Sequence, residues 1–185
     1  MKKLNSYPAA KIDLLARPNE IKAISLDTLA LEFFTDFKLT KPLVIESSIS
    51  AVEVKNLMLK THVRLLFVIN EQHQFLGVIS ADDLAERKIV QKISDGFKRE
   101  DIAVTDFMKR KQDLLALDYG ELVSVSIGGV IKVLKDSGQQ HCLVIDKHSN
   151  TIRGIFSASD ISRKLHLPID IQDKSSFYKV FSAIS

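Results

Sequence analysis

The sequence predicts an α/β (α+β) fold of two similar units, each ordered strand, helix, strand, strand, helix (β-α-β-β-α) and packed on the other about a pseudo-twofold axis. Three observations predict it. The phrase Gly77-Val78-Ile79-Ser80-Ala81-Asp82-Asp83-Leu84 returns as Gly154-Ile155-Phe156-Ser157-Ala158-Ser159-Asp160-Ile161, with Gly, Ser and Asp each 77 residues later. Each copy follows a short apolar run closed by Asn or Asp, Leu65 to Asn70 and Cys142 to Asp146, which reads as a buried strand entering a turn. Upstream of each run, apolar residues recur at helical spacing: Val54, Leu57 and Met58 in one half, Ile127, Val130, Ile131 and Leu134 in the other.

The elements follow in order. Leu43-Val44-Ile45 and Leu114-Leu115-Ala116-Leu117 are the first strands. Aligning Ser48-Ile49-Ser50 with Ser126-Ile127-Gly128, an offset of 78, places the first helix start of each unit there, with Ser as N-cap. The polar turns Glu71 to Gln74 and Lys147 to Asn150 join two strands into a hairpin in each half, and the last helix opens at the Ser and Asp of the phrase. Thr35-Asp36-Phe37, recurring as Thr105-Asp106-Phe107, extends the repeat upstream. The glycine pair Gly128-Gly129 falls at a helix start, where close packing of the two units explains it. The expected boundaries are an N-terminal extension over residues 1–28, a first unit over 29–95, a second over 96–166 and a C-terminal tail over 167–185. Pro8, Pro18, Ile12, Leu14, Leu15, Ile21 and Ile24 suggest short irregular or helical pieces in the extension, Leu26 to Phe34 is apolar enough to be ordered, and Phe177 to Phe181 suggests a small helix. Neither unit buries enough surface to be stable alone, so the two are expected to share a core.

Composition narrows the function classes. The 26 basic and 23 acidic residues are interspersed and leave a formal charge of +3, with Lys109-Arg110-Lys111 the densest basic patch, so neither nucleic acid nor an acidic membrane is an expected partner. No apolar stretch is long enough to span a bilayer, Asn5, Ser6 and Pro8 interrupt any signal-peptide core, and the single Cys142 cannot form an intrachain disulfide. A cytoplasmic location is the expectation. His62, His73, His141, His148 and His166 have no metal-site spacing, and no P-loop, Gly-x-Ser-x-Gly or Gly-x-Gly-x-x-Gly occurs, so neither a metal nor an enzyme is expected.

Over residues 29–166 the repeated strand, helix, strand, strand, helix order, closed twice by Gly-h-h-Ser-x-x-Asp (h, apolar), resembles a tandem pair of cystathionine-β-synthase (CBS) domains, a Bateman module. The resemblance implies a stand-alone regulatory module that binds an adenosine-containing nucleotide (AMP, ADP, ATP or S-adenosylmethionine) in a cleft between the paired domains and signals to an effector protein. It also implies a homodimer. Carried over, Ser80 and Ser157 would contact phosphate, Asp83 and Asp160 would hold the ribose hydroxyls, and adenine would lie near Pro42 and Leu43 in one unit or Leu114 in the other. A helix N-terminus offers unpaired N–H groups to a phosphate, and a carboxylate can accept from two adjacent hydroxyls, so the roles are physically sound. Two features depart from the pattern. Gln112-Asp113-Leu114 lacks the proline found in Lys41-Pro42-Leu43, and Asp82 beside Asp83 disfavours di- and triphosphates unless Arg64, Lys41 or a cation offsets it.

A second reading needs only the same residues. Ser-x-x-Asp at a helix start is also a capping box, and in that case the chain is a ligand-independent dimerisation or interaction scaffold.

Overall fold

The computed structural model describes residues 24–171. The pieces expected around Ile12, Leu14, Leu15 and Ile21, and the tail helix at 177–181, lie outside the described residues. Among the described residues no helix is long and apolar enough to cross a membrane.

Two four-stranded sheets carry the fold. Strands β1 (Thr35–Asp36), β2 (Val44–Glu46), β3 (Leu65–Ile69), β4 (Phe75–Ser80), β5 (Lys109–Arg110), β6 (Ala116–Asp118), β7 (His141–Asp146) and β8 (Thr151–Ser157) assemble as β2-β3-β4-β5 and β1-β8-β7-β6. The helices are α1 (Ala51–Thr61), α2 (Glu86–Ser94), α3 (Tyr119–Leu122), α4 (Ile127–Ser137) and α5 (Ala158–Leu165). In each half a parallel pair (β2 with β3, β6 with β7) needs a helical crossover, and α1 and α4 supply it. An antiparallel hairpin follows in each.

The central residues of the runs read as buried strands are apolar without alternation because each sheet is covered on both faces. In β3, Leu66 and Val68 pack with α1 residues Val54 and Met58, while Phe67 turns the other way. Phe67 and Val78 then meet Leu143 and Ile155 of the other sheet, forming a small core between the sheets that Phe37 and Phe75 extend. Phe67 and Leu143 hold equivalent hairpin positions, as do Val78 and Ile155, so the interface obeys the expected pseudo-twofold.

Each sheet is completed by a strand from outside its own half. β1 lies antiparallel to β8, with Asp36 opposite Gly154, and β5 lies antiparallel to β4, with Arg110 opposite Gly77. The segments beside these strands follow: Ala30 and Phe33 enter the core of the α4/α5 half, and Ile102 and Val104 enter the core of the α1/α2 half. The glycine of the repeated phrase is therefore a site of backbone approach. A Cβ at Gly77 would overlap the Lys109 carbonyl, and one at Gly154 would overlap the Thr35 carbonyl.

The structure corrects four details. Thr35-Asp36 forms β1, whereas Thr105 and Asp106 lie in a 3-10 turn, Val104–Asp106, and the equivalents of Thr35-Asp36 are Lys109-Arg110; a three-letter match had paired different geometries. The helix offset is 76, since the N-caps are Ser50 and Ser126, and it holds from cap to hairpin. In the Gly128-Gly129 pair, Gly128 accommodates the leading segment rather than the other half: its N–H donates to the Leu26 carbonyl at 2.9 Å, and a Cβ there would lie 3.1 Å from that oxygen, whereas one at Gly129 would meet Val125. In the first half, α2 begins at Glu86, well after Ser80, because residues 81–84 form turns.

Asp36 fastens the exchanged strand to its sheet. Arg153 on β8 donates to both Asp36 oxygens, at 2.7 and 2.6 Å, and its guanidinium lies 4.4 Å from the ring centre of Tyr119 on α3. The Arg153 hydrogen bonds hold the Asp36 carboxyl below its ordinary value of 3.8.

Gly77→Ala is expected to destabilise the protein by about 1–3 kcal/mol in urea unfolding, since the obstructing atoms are backbone and cannot rotate away. Asp36→Asn should lower the melting temperature at neutral pH. The folded-state pKa is depressed, so the wild-type advantage is fully present above about pH 4 and shrinks as the pH falls below it; parallel acid titrations of both proteins measure this.

Candidate functional site

The two copies of the phrase meet across one cleft of about 400 Å³ between the sheets. Ser80 and Ser157, the two motif hydroxyls, both line it, and so do Asp83 and Leu114. Asp160 is not among the lining residues but acts electrostatically on His141 in the cleft wall. Pro42 and Leu43 stand outside this cleft at the start of β2, Pro42 half-buried and Leu43 exposed.

The same phrase adopts two local structures. At the first copy, Ser80 N–H and Oγ–H both donate to Asp83 Oδ2, at 2.9 and 2.6 Å, and Asp83 N–H returns to Ser80 Oγ at 3.3 Å. That is the reciprocal capping-box bond set, closed on a turn instead of on a helix. Lys88 lies 3.5 Å from the other Asp83 oxygen. At the second copy, Ser157 is the N-cap of α5 by position, but its side chain makes no cap bond; it meets Ser159 Oγ at 2.8 Å. Asp160 pairs instead with Arg163 on its own helix, at 2.7 Å. The capping reading thus describes Ser80 and Asp83 and fails at Ser157 and Asp160.

Arg64 lies 3.2 Å from Asp82, an exposed pair that offsets the second carboxylate of the Asp82-Asp83 doublet at the cleft edge. Sequence reasoning named Arg64 but missed Arg87, Lys88, Lys109, Gln140 and His141, which also line the cleft. Lys109 reaches it because β5 belongs to the first sheet, a placement that chain order conceals. His141 had a readable signal in the repeat itself, since it occupies the position of Leu65 in the other hairpin.

Burial pushes His141 below its ordinary value of 6.5; Asp83 opposes that shift, Lys109 reinforces it, and Asp160 and Asp82 oppose it more weakly. Its neighbour Cys142 faces the opposite way into the core, and burial raises its thiol to about 11, so it packs as a small hydrophobe. Among the described residues no cluster of His, Cys, Asp and Glu could hold a metal ion.

Residues 35–89 match the family model described as the CBS domain. An uncharacterized conserved protein from Pyrococcus horikoshii superposes with a TM-score of 0.57 at 23% identity, covering 80% of this chain and 100% of that one. CBSX2, from Arabidopsis thaliana, in its complex with AMP, gives 0.52 at 20% identity over 74% and 94% of the two chains. The CBS domain pair of protein MJ0100, in complex with 5′-methylthioadenosine and S-adenosyl-L-methionine, gives 0.51 at 18% over 74% and 94%. No curated protein matches the sequence. Two βαββα units facing across a cleft that both repeated phrases line are the architecture of a tandem CBS-domain pair. Residues 35–89 are thus matched as a CBS domain, and the chain as a whole has the fold of a CBS-domain pair.

His141→Leu, which installs the residue found at the equivalent position, isolates the imidazole. A depressed folded-state pKa means that stability is fully present above pH 6.5 and is lost as the pH falls below it. Urea unfolding at pH 7.5 and 5 is therefore expected to show the variant gaining on the wild type at the lower pH.

Proposed function

We propose that this chain is a regulatory module in which an adenosine-containing ligand binds in the cleft between the two CBS domains and its occupancy is passed to a partner protein. The observation that carries the reading is the convergence of Ser80 and Ser157 on one cleft of about 400 Å³, within the usual range for small-molecule sites. AMP in CBSX2 and S-adenosyl-L-methionine in MJ0100 supply the chemical class. Each copy of the phrase offers a phosphate contact, Ser80 or Ser157, and a ribose contact, Asp83 or Asp160. Adenine takes the apolar side of the cleft at Leu114, with Pro42 and Leu43 serving an equivalent second cleft.

Occupancy becomes a signal through the sheet interface. A ligand bridging both halves shifts their packing only as far as it binds one arrangement better than another. The module acts by binding, as a homodimer, in the cytoplasm.

Asp160 separates this reading from the scaffold alternative, because it is not spent on capping Ser157. Titration calorimetry with AMP, ADP, ATP and S-adenosylmethionine is expected to show heat of binding, and Asp160→Ala is expected to abolish it at a stability cost of about 0.5 kcal/mol, that of a surface pair on one helix turn. Asp83→Ala should also abolish binding but cost about 0.5–2 kcal/mol, because it opens the box with Ser80. If no adenosine compound binds at millimolar concentration, the module is a scaffold.

A further inference from the structure

The two walls of the cleft differ in charge although the repeat makes them equivalent. The first sheet and its helix contribute Arg64, Arg87, Lys88 and Lys109, against two carboxylates, Asp82 and Asp83. The second contributes Gly138, Gln140, His141, Ser157 and Ser159, none of them a permanent charge. Position by position, Gln140 stands for Arg64, His141 for Leu65 and Ser159 for Asp82. On α5, Lys164 turns away to the Glu32 carbonyl at 3.0 Å and the Phe33 ring. The carboxylates already face cations, Asp82 with Arg64 at 3.2 Å and Asp83 with Lys88 at 3.5 Å.

We infer that the cleft takes a phosphate-bearing adenine nucleotide with its phosphate against the first-sheet wall, at Arg87 and Lys109 and at Ser80 once its hydroxyl turns from Asp83, and discriminates against the cationic S-adenosylmethionine. The inference rests on the reading of the cleft as an adenosine site. Four cationic side chains against two carboxylates leave the lining net positive. A phosphate monoester brings nearly two negative charges to that wall at neutral pH, whereas a sulfonium ligand with its amino-acid tail is net positive. The cleft lies between two sheets, so its charges are less screened than they would be on an open surface. The neutral wall, with amide, imidazole and hydroxyls, suits ribose and base, which carry hydrogen-bonding groups and no charge.

Competition calorimetry with AMP, neutral adenosine and S-adenosylmethionine tests the inference on the full chain. AMP is expected to bind at least about tenfold more tightly than S-adenosylmethionine, and its affinity, unlike that of adenosine, should fall with rising ionic strength. In Arg87→Ala and Lys109→Ala the ratio of AMP to adenosine affinity should fall about tenfold, the scale of one lost charge contact at short range. Arg87 is exposed, so its replacement leaves the fold intact. Equal or tighter binding of S-adenosylmethionine, or an unchanged ratio in both variants, overturns the charge selection while leaving an adenosine site in place. Absence of binding by all three compounds overturns the adenosine reading itself.

Discussion

Everything in this molecule depends on a backbone contact at two glycines. Where β5 crosses onto β4 and β1 onto β8, the incoming carbonyls occupy the space a Cβ would need at Gly77 and Gly154. That contact lets each half of the chain lend a strand and its neighbouring apolar residues to the other half. Ala30 and Phe33 are buried beneath α4 and α5, and Ile102 and Val104 beneath α1, so neither core is complete without sequence from the other side of the repeat. The small interface core of Phe67, Val78, Leu143 and Ile155 then sets the two sheets face to face and leaves the cleft beside it.

Within that frame the symmetry is geometric but not chemical. The first Ser-x-x-Asp is folded onto itself and the helix after it is delayed to Glu86, whereas the second opens α5 directly and leaves its Ser and Asp bonded elsewhere. Short α3, present only in the second half, supplies Tyr119 as the platform for Arg153, and Arg153 in turn grips Asp36. The exchanged strand of the second sheet is thus held by a charged clamp; its counterpart β5 has Arg110 opposite Gly77, and Leu76 stands where Arg153 would.

Such divergence gives the cleft two unlike walls. Two identical walls would present a ligand with two equal orientations. One charged and one neutral wall give a ligand a direction across the interface, and a directed ligand can favour one packing over another.

The amino-acid sequence by itself determined the two-unit architecture, the hairpins, the crossover helices and the four motif residues, because periodicity, turn chemistry and the repeat are local properties of the chain. Ser80, Ser157 and Asp83 could be named for the same reason, Leu114 was named from the resemblance to CBS domains, and Arg64 was legible as the partner of Asp82. Only the tertiary structure decided which sheet β1 and β5 join, since a two-residue strand carries no periodic signal and its pairing is settled by distant backbone. For that reason the role of the motif glycine and the presence of Lys109 in the cleft were invisible in the sequence. The choice between capping and free carboxylates was equally tertiary. The same four letters satisfy either geometry, and the packing around each copy selected a closed turn at Ser80 and an open helix start at Ser157.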